Sequence, residues 1–271
     1  MFRRHFNRYL GLLGVQIRTS ATLAMQYRLD FLLKGLMSVF WLGVTLVPLL
    51  VVYSQRQSVA GWTWPEALVV LGWFSLLKAV LEGSVTPSLT AVVEGVRTGA
   101  LDFVLLKPAD SQFLVSTARF EPWKLIDLAG SLGMLIYAFS YMQRWPRPAH
   151  VLQALVLLVV AMLLLYSIWI LVVSASFWIV RVDNLQYLFG SIFDAGRWPI
   201  SVFDKVLAGV LKVVFTYVFP LALMTTYPAE ALLGKLEATH FALVLVGGIA
   251  FAAVARAVWL RAIRFYTSAS S

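Results

Sequence analysis

Cysteine is absent from the chain, which removes disulfides, thiolate chemistry and cysteine-held metal or iron–sulfur centres together. Charge is scarce: 13% of residues are charged, against about a quarter in a soluble domain. There are three histidines, His5, His150 and His240, with none of the spacings that build a metal site, so no resident metal is expected. No G-x-x-x-x-G-K-[ST] loop, H-E-x-x-H or G-x-S-x-G occurs. Nucleotide hydrolysis, a bound cofactor and a catalytic constellation are therefore not expected of this chain. The net charge of +9 is spread along the sequence without a basic run, which argues against a nucleic-acid surface.

What is abundant is apolar. Hydrophobic residues make up 61% of the chain and its mean hydropathy is +0.83, which predicts an all-α polytopic membrane protein. Ten Trp and ten Tyr suit interfacial belts. The expected architecture is one membrane domain over 1–271, with an amphipathic interfacial helix at 1–28. In that helix Phe2, Phe6, Tyr9, Leu10, Leu13 and Ile17 recur at helical spacing, with Arg4, Arg8 and Arg18 opposite. Arg3-Arg4 superficially matches a twin-arginine signal, but Arg18 interrupts the apolar run, so a cleaved signal is not expected.

Six spans are predicted: Leu29–Tyr53, Pro65–Leu81, Lys124–Met142, Val151–Val180, Lys205–Met224 and Phe241–Leu260. Val151 to Val180 has no charge and exceeds a ~30 Å hydrocarbon core, so it is expected to tilt or project. Residues 83–123 form a polar connection. Residues 181–204, broken by Asp194, Gly196, Arg197 and Pro199, read as an interfacial segment, 225–240 as short helices dipping into the outer leaflet, and 261–271 as a disordered tail. With six spans both termini share a side, and 18 of the 22 Lys and Arg fall on it. Arg56, Arg144, Arg147 and Lys235 are the exceptions. The positive-inside rule then makes both termini, and the 83–123 connection, cytoplasmic.

Charges near the spans, namely Lys78, Glu82, Lys124, Asp127 and Lys212, lie within about two turns of cytoplasmic span ends. Span middles carry only hydroxyls such as Ser75, Ser167, Ser174 and Thr216. An ion-coupled secondary transporter ordinarily needs a buried carboxylate, so an apolar or amphiphilic substrate fits better than a small ion. A scaffold or assembly protein without transport activity stays open as an alternative, as does an intramembrane enzyme, which the lack of a catalytic constellation disfavours.

The stretch Glu94–Phe120 organises the polar side. It carries Arg97, Asp102, Lys107, Asp110 and Arg119, yet interleaves them with Leu101, Phe103, Val104, Leu105, Leu106 and Phe113. A solvated connector does not need that much apolar surface. Gly99 lets the chain turn, Leu101, Phe103, Leu105 and Leu106 offer a docking face, and Pro108 stops the helix. Arg97, Asp102 and Lys107 could pair with a partner's charges.

The run V-R-T-G-A-L-D-F-V-L-L-K-P at 96–108 resembles the loop of bacterial ABC-2-type transporter permeases. G-R-W-P-I-S-V-F at 196–203 and T-T-Y-P-A-E-A-L-L-G at 225–234 match further along, in the family's order. The resemblance implies a six-span exporter membrane subunit of the bacterial inner membrane. It implies pairing with a second permease, the same chain or a related one, each resting on a separate ATP-binding subunit that holds ATP and Mg. It also implies that the 96–108 element is a coupling helix inserted into that subunit, and that short helices between the last two spans form an outer cap. Pro228, Glu230 and Gly234 are then candidates for an external gate, or equally for a capped turn.

Overall fold

The computed structural model describes residues 2–175, 190–204 and 209–264. Helix α1, Phe2–Gln26, lies ahead of α2, Arg28–Gln55, with a bend at Tyr27. A two-stranded hairpin follows, β1 Ser58–Val59 against β2 Trp62–Thr63. Its turn residues Ala60 and Gly61 both have positive φ, +49° and +85°, as a type I′ turn requires. Helix α3, Trp64–Val80, starts on a capping box in which the Thr63 amide donates to Glu66 Oε2 at 3.1 Å, with Pro65 in its first turn.

The helical backbone does not stop where the hydropathy falls. It runs on through a π turn, Leu81–Val85, into α4, Thr86–Thr98, so the first part of the expected 83–123 connection extends the second span. Short helices α5, Leu101–Leu105, and α6, Ser111–Ser116, complete the connection to α7, Lys124–Met142. Helix α8, Pro148–Ser174, is 27 residues long, about 40 Å at 1.5 Å per residue. The rest of the expected fourth span, and residues 181–189 of the expected interfacial segment, lie outside the described residues. The chain closes with α9, Val210–Val213, running into a π turn Val214–Val218, then a second π turn, Ala222–Thr226, leading into α10, Tyr227–Leu233. The last helix is α11, Ala238–Arg264. The expected tail from 265 lies outside the described residues.

Helix α3 is the axis of the bundle. Ala67 to Leu77 are all buried, and α2, α7 and the segments Asp194–Arg197, Ala222–Thr226 and Tyr227–Leu233 pack around the helix. Helices α8 and α11 approach closely at Gly248, where a Cβ would lie 2.3 Å from Val160 Cγ1, a small-residue contact typical of membrane helices. Gly130 of α7 admits Leu42 of α2 in the same way. By contrast α2 keeps Leu29, Leu32, Leu33, Leu36, Phe40 and Trp41 exposed, as a lipid-facing helix does.

Among the described residues five helices are long and apolar enough to cross a membrane: α2, α3 with α4, α7, α8 and α11. Calling the two ends of the bundle the basic end (Lys78, Lys124, Arg256) and the hairpin end (Trp62), α8 finishes at the basic end. There its Tyr166 bonds Gln112 and Ser116. Helix α11 starts at the hairpin end, where His240 stacks on Tyr227 at 4.4 Å. The intervening chain must therefore cross once more.

The expected fifth span, Lys205–Met224, is not that crossing. Val210–Val218 and Ala222–Leu233 meet at a 70° bend at Phe219-Pro220. Asp204 bonds Lys212 at 2.9 Å, and Phe203 packs edge-on against Phe215 at 5.1 Å. The Met224 carbonyl accepts from Trp73 Nε1 at mid-bundle, and Lys235 returns to Glu66 at the hairpin end. The bent pair thus enters and leaves at one end. The crossing runs instead through 190–204, expected to be an interfacial segment. Asp194 pairs with Lys78 in the last turn of α3, a Cβ on Gly196 would lie 3.6 Å from the Phe74 ring, and Ser201 accepts from Trp62 Nε1 just ahead of α3. Its backbone consists of two 3₁₀ turns, Asp194–Arg197 and Ile200–Phe203, tolerated because Phe193, Gly196, Pro199 and Ile200 are buried in protein. The relocation also carries Lys212 to the hairpin end and leaves the basic excess at the other end standing.

Of the expected short helices at 225–240, the described structure has one, α10, followed by a turn at Gly234. Pro220 to Ala229 are buried without interruption inside the bundle.

Candidate functional site: the element at the basic end

Gly99 ends α4 in the left-handed region, φ +75°, a conformation that glycine adopts without a Cβ penalty. The chain then doubles back so tightly that a Cβ on Gly95 would sit 3.5 Å from the Leu101 amide. This phase decides which way each apolar residue of α5 faces. Leu101 is 2% exposed and belongs to the core, with Val104 and Leu105 packed against it half-buried. Phe103 and Leu106 are 73% and 80% exposed. The predicted docking face is therefore split, because Leu101 faces inward and the outward edge consists of Phe103 and Leu106. Lys107 and Pro108 are exposed beside them and Asp102 is half-buried. Arg97 lies on α4, and its side chain is outside the described residues.

The back of the element is held by α1. Arg8 donates to the Pro108 carbonyl, and the Tyr9 hydroxyl accepts from the Asp110 amide at 3.1 Å while its ring packs edge-on against Phe113. Thr117 Oγ1 donates to Gln16 Oε1 at 2.6 Å, and Ser20 Oγ accepts from the Phe120 amide at 3.1 Å. Positions 9, 16 and 20 share one helix face, so one stripe of α1 straps α6 and the turn after it. Ser88 of α4 closes the loop, donating to the Arg119 carbonyl and accepting its amide.

A polar cluster ties the element to the spans. Asp110 caps α6, accepting from the Phe113 amide at 3.0 Å, and takes a two-point contact from Arg256 of α11, at 3.3 and 2.7 Å. Arg256 also donates to Gln112, which donates to Tyr166 of α8. Burial alone would raise the Asp110 carboxyl, but the Arg256 guanidinium and the Phe113 amide outweigh it and hold the group below the usual carboxylate range. Arg256 escaped the sequence reading. The signal was available: it is a cation inside the predicted sixth span, Phe241–Leu260.

At the hairpin end, Pro228 is buried in the first turn of α10, Glu230 is half-buried in its middle, and Gly234 ends the helix at φ +69°. A Cβ on Gly234 would meet His150 Cε1 at 2.5 Å, so α10 and the start of α8 close against one another there. Among the described residues no cluster of His, Cys, Asp or Glu could hold a metal ion.

The polar end of this helical membrane bundle thus carries a strapped element with an outward-pointing apolar edge. Residues 39–270 match the family model described as ABC-2 family transporter protein. The chain belongs to that family, and is a permease of ABC-type transport. Comparison with curated proteins and with solved structures returned no match.

Proposed function

We propose that this chain is the membrane-spanning subunit of an ATP-driven exporter in a bacterial inner membrane. It couples hydrolysis by a separate ATP-binding subunit to movement of a hydrophobic or amphiphilic substrate. The basic end is cytoplasmic, since it gathers the excess Lys and Arg. ATP and Mg belong to the partner, which docks on the α5 edge, and a second permease, a copy or a relative, completes the pathway.

The observation that carries this reading is the exposure of Phe103 and Leu106 on an element otherwise fixed by α1, α4 and Arg256. A loose loop would absorb a partner's motion, whereas a strapped one passes it on to α8 and α11. Co-purification from native membranes in mild detergent should recover an ATP-binding subunit, and vesicles holding the complex should move substrate only with ATP. Recovery of the permease alone, with no ATP-dependent flux, overturns the reading.

A further inference from the structure

Between Leu81 and Pro87 the rod formed by α3 and α4 gathers three features that bend helices. Leu81–Val85 is a π turn, Gly83-Ser84 falls inside it, and Pro87 stands in the first turn of α4. Their effects meet at one atom. In a regular helix the Gly83 carbonyl would accept from the amide of residue 87, which proline lacks. It accepts instead from the Glu121 amide at 2.8 Å, just ahead of α7. Ser84 Oγ donates to the Val80 carbonyl at 2.8 Å, a back-bond of the kind that bends helices further. Gly83 also gives room to its neighbour, since a Cβ there would lie 3.1 Å from Lys124 Cβ.

Both chain connections from the polar element to α3 and α7 cross this level side by side. On the span side Gly83 is bonded to Glu121, and Glu82 pairs with Lys124 at 2.6 Å. On the element's side Ser88 holds Arg119 at both its carbonyl and its amide. The ties from Tyr9, Gln16, Tyr166 and Arg256 all attach on that side. Two adjacent connections between internally bonded parts make a hinge axis, where a few residues at element ends absorb the change. One Glu121 carboxylate oxygen is buried here with no hydrogen-bond partner among the described residues, and such an unspent acceptor calls for an explanation.

We infer that the π turn and Pro87 form a hinge on which α4 and the element beyond it swing against α3 and α7. The free Glu121 oxygen is the acceptor of the second position, which Lys124 reaches by leaving Glu82. Helix α4, thirteen residues, is a lever of about 20 Å. A bend of about 20° moves its far end by about 7 Å. That this swing carries a partner's stroke rests on the permease reading; the hinge itself does not.

The test uses spin labels on the full chain in lipid vesicles, where introduced cysteines are the only ones. Thr98→Cys with Tyr141→Cys, both exposed, spans the hinge. Leu125→Cys with Tyr141→Cys lies on α7 alone and serves as the rigid reference. The first pair should give two distance populations and the second pair one. Pro87→Ala, which supplies the missing amide, should collapse the two into one. Ser84→Ala, which removes only the back-bond, should shift their weights the same way. A single Thr98–Tyr141 distance in the wild type, or weights unchanged in both variants, overturns the hinge. In the co-purified complex Pro87→Ala should keep ATP hydrolysis while substrate moved per ATP falls. An unchanged ratio overturns the hinge's part in transport. Failed co-purification strikes the permease reading instead, and the distances still decide the hinge.

Discussion

Two excursions of this chain leave the spans without crossing, and they are built on opposite plans. The one at the basic end, from Gly99 to Phe120, is polar and held by side-chain hydrogen bonds from Arg8, Tyr9, Gln16, Ser20, Ser88 and Arg256. It turns Phe103 and Leu106 outward. The one at the hairpin end, from Gly209 to Gly234, is apolar and held by packing, with Pro220 to Ala229 buried. The first leaves an apolar edge exposed; the second buries its apolar surface inside the bundle. Polarity alone therefore says little about which excursion presents an apolar edge to the outside.

The sharpest way to break this contrast is to overfill the packed region. Gly196→Leu places a side chain where even a Cβ would lie 3.3 Å from Thr225 Cγ2. Overpacking of this kind costs about 1–3 kcal/mol, and a fall in the thermal midpoint of the detergent-solubilised protein should register it. Next comes Thr226→Val, which removes the hydroxyl accepting the buried Ile200 amide at 3.1 Å. An orphaned buried donor costs about 1–3 kcal/mol, and because the change is isosteric the loss should appear without gross repacking.

At the basic end the effects are smaller and depend on pH. Arg256→Gln should cost about 1 kcal/mol, as the pair is partly solvated. It should also speed amide exchange across 110–117 while leaving α10 unchanged. The folded Asp110 is held below its ordinary value, so its contribution is present above the unfolded carboxylate pKa and is lost as pH falls through the depressed one. The wild type should accordingly lose stability relative to Arg256→Gln on acidification below the ordinary carboxylate range, and the gap should close there. A gap independent of pH would mean that Arg256 acts through packing alone.

How far the molecule was legible differs between its parts for physical reasons. Long uncharged runs announce α2, α3, α7, α8 and α11, because lipid and protein interior make the same demand on a helix surface. The fifth crossing misled. Asp194, Gly196, Arg197 and Pro199 give it the composition of a loop, although the Lys78–Asp194 and Arg197–Asp194 pairs neutralise its charges and the bundle covers its irregular backbone. The expected fifth span, Lys205–Met224, misled in the other direction, being apolar enough to span but bent by 70° between Val210–Val218 and Ala222–Leu233. The α5 motif was visible as a pattern, yet whether Leu101 or Leu106 faces outward depends on the phase set by Gly99, which no periodicity in five residues can report.

In the proposed function the outward edge of α5 is a dock and not a piece of the fold. Phe103→Asp with Leu106→Asp alters side chains that are mostly exposed, so the stability of the isolated permease should stay within about 0.5 kcal/mol of wild type. The claim is tested most directly by capture of the ATP-binding subunit by this variant beside the wild type. Capture is expected with the wild type and its loss in the variant, with both equally stable in the membrane. Capture by the variant at the wild-type level would contradict it.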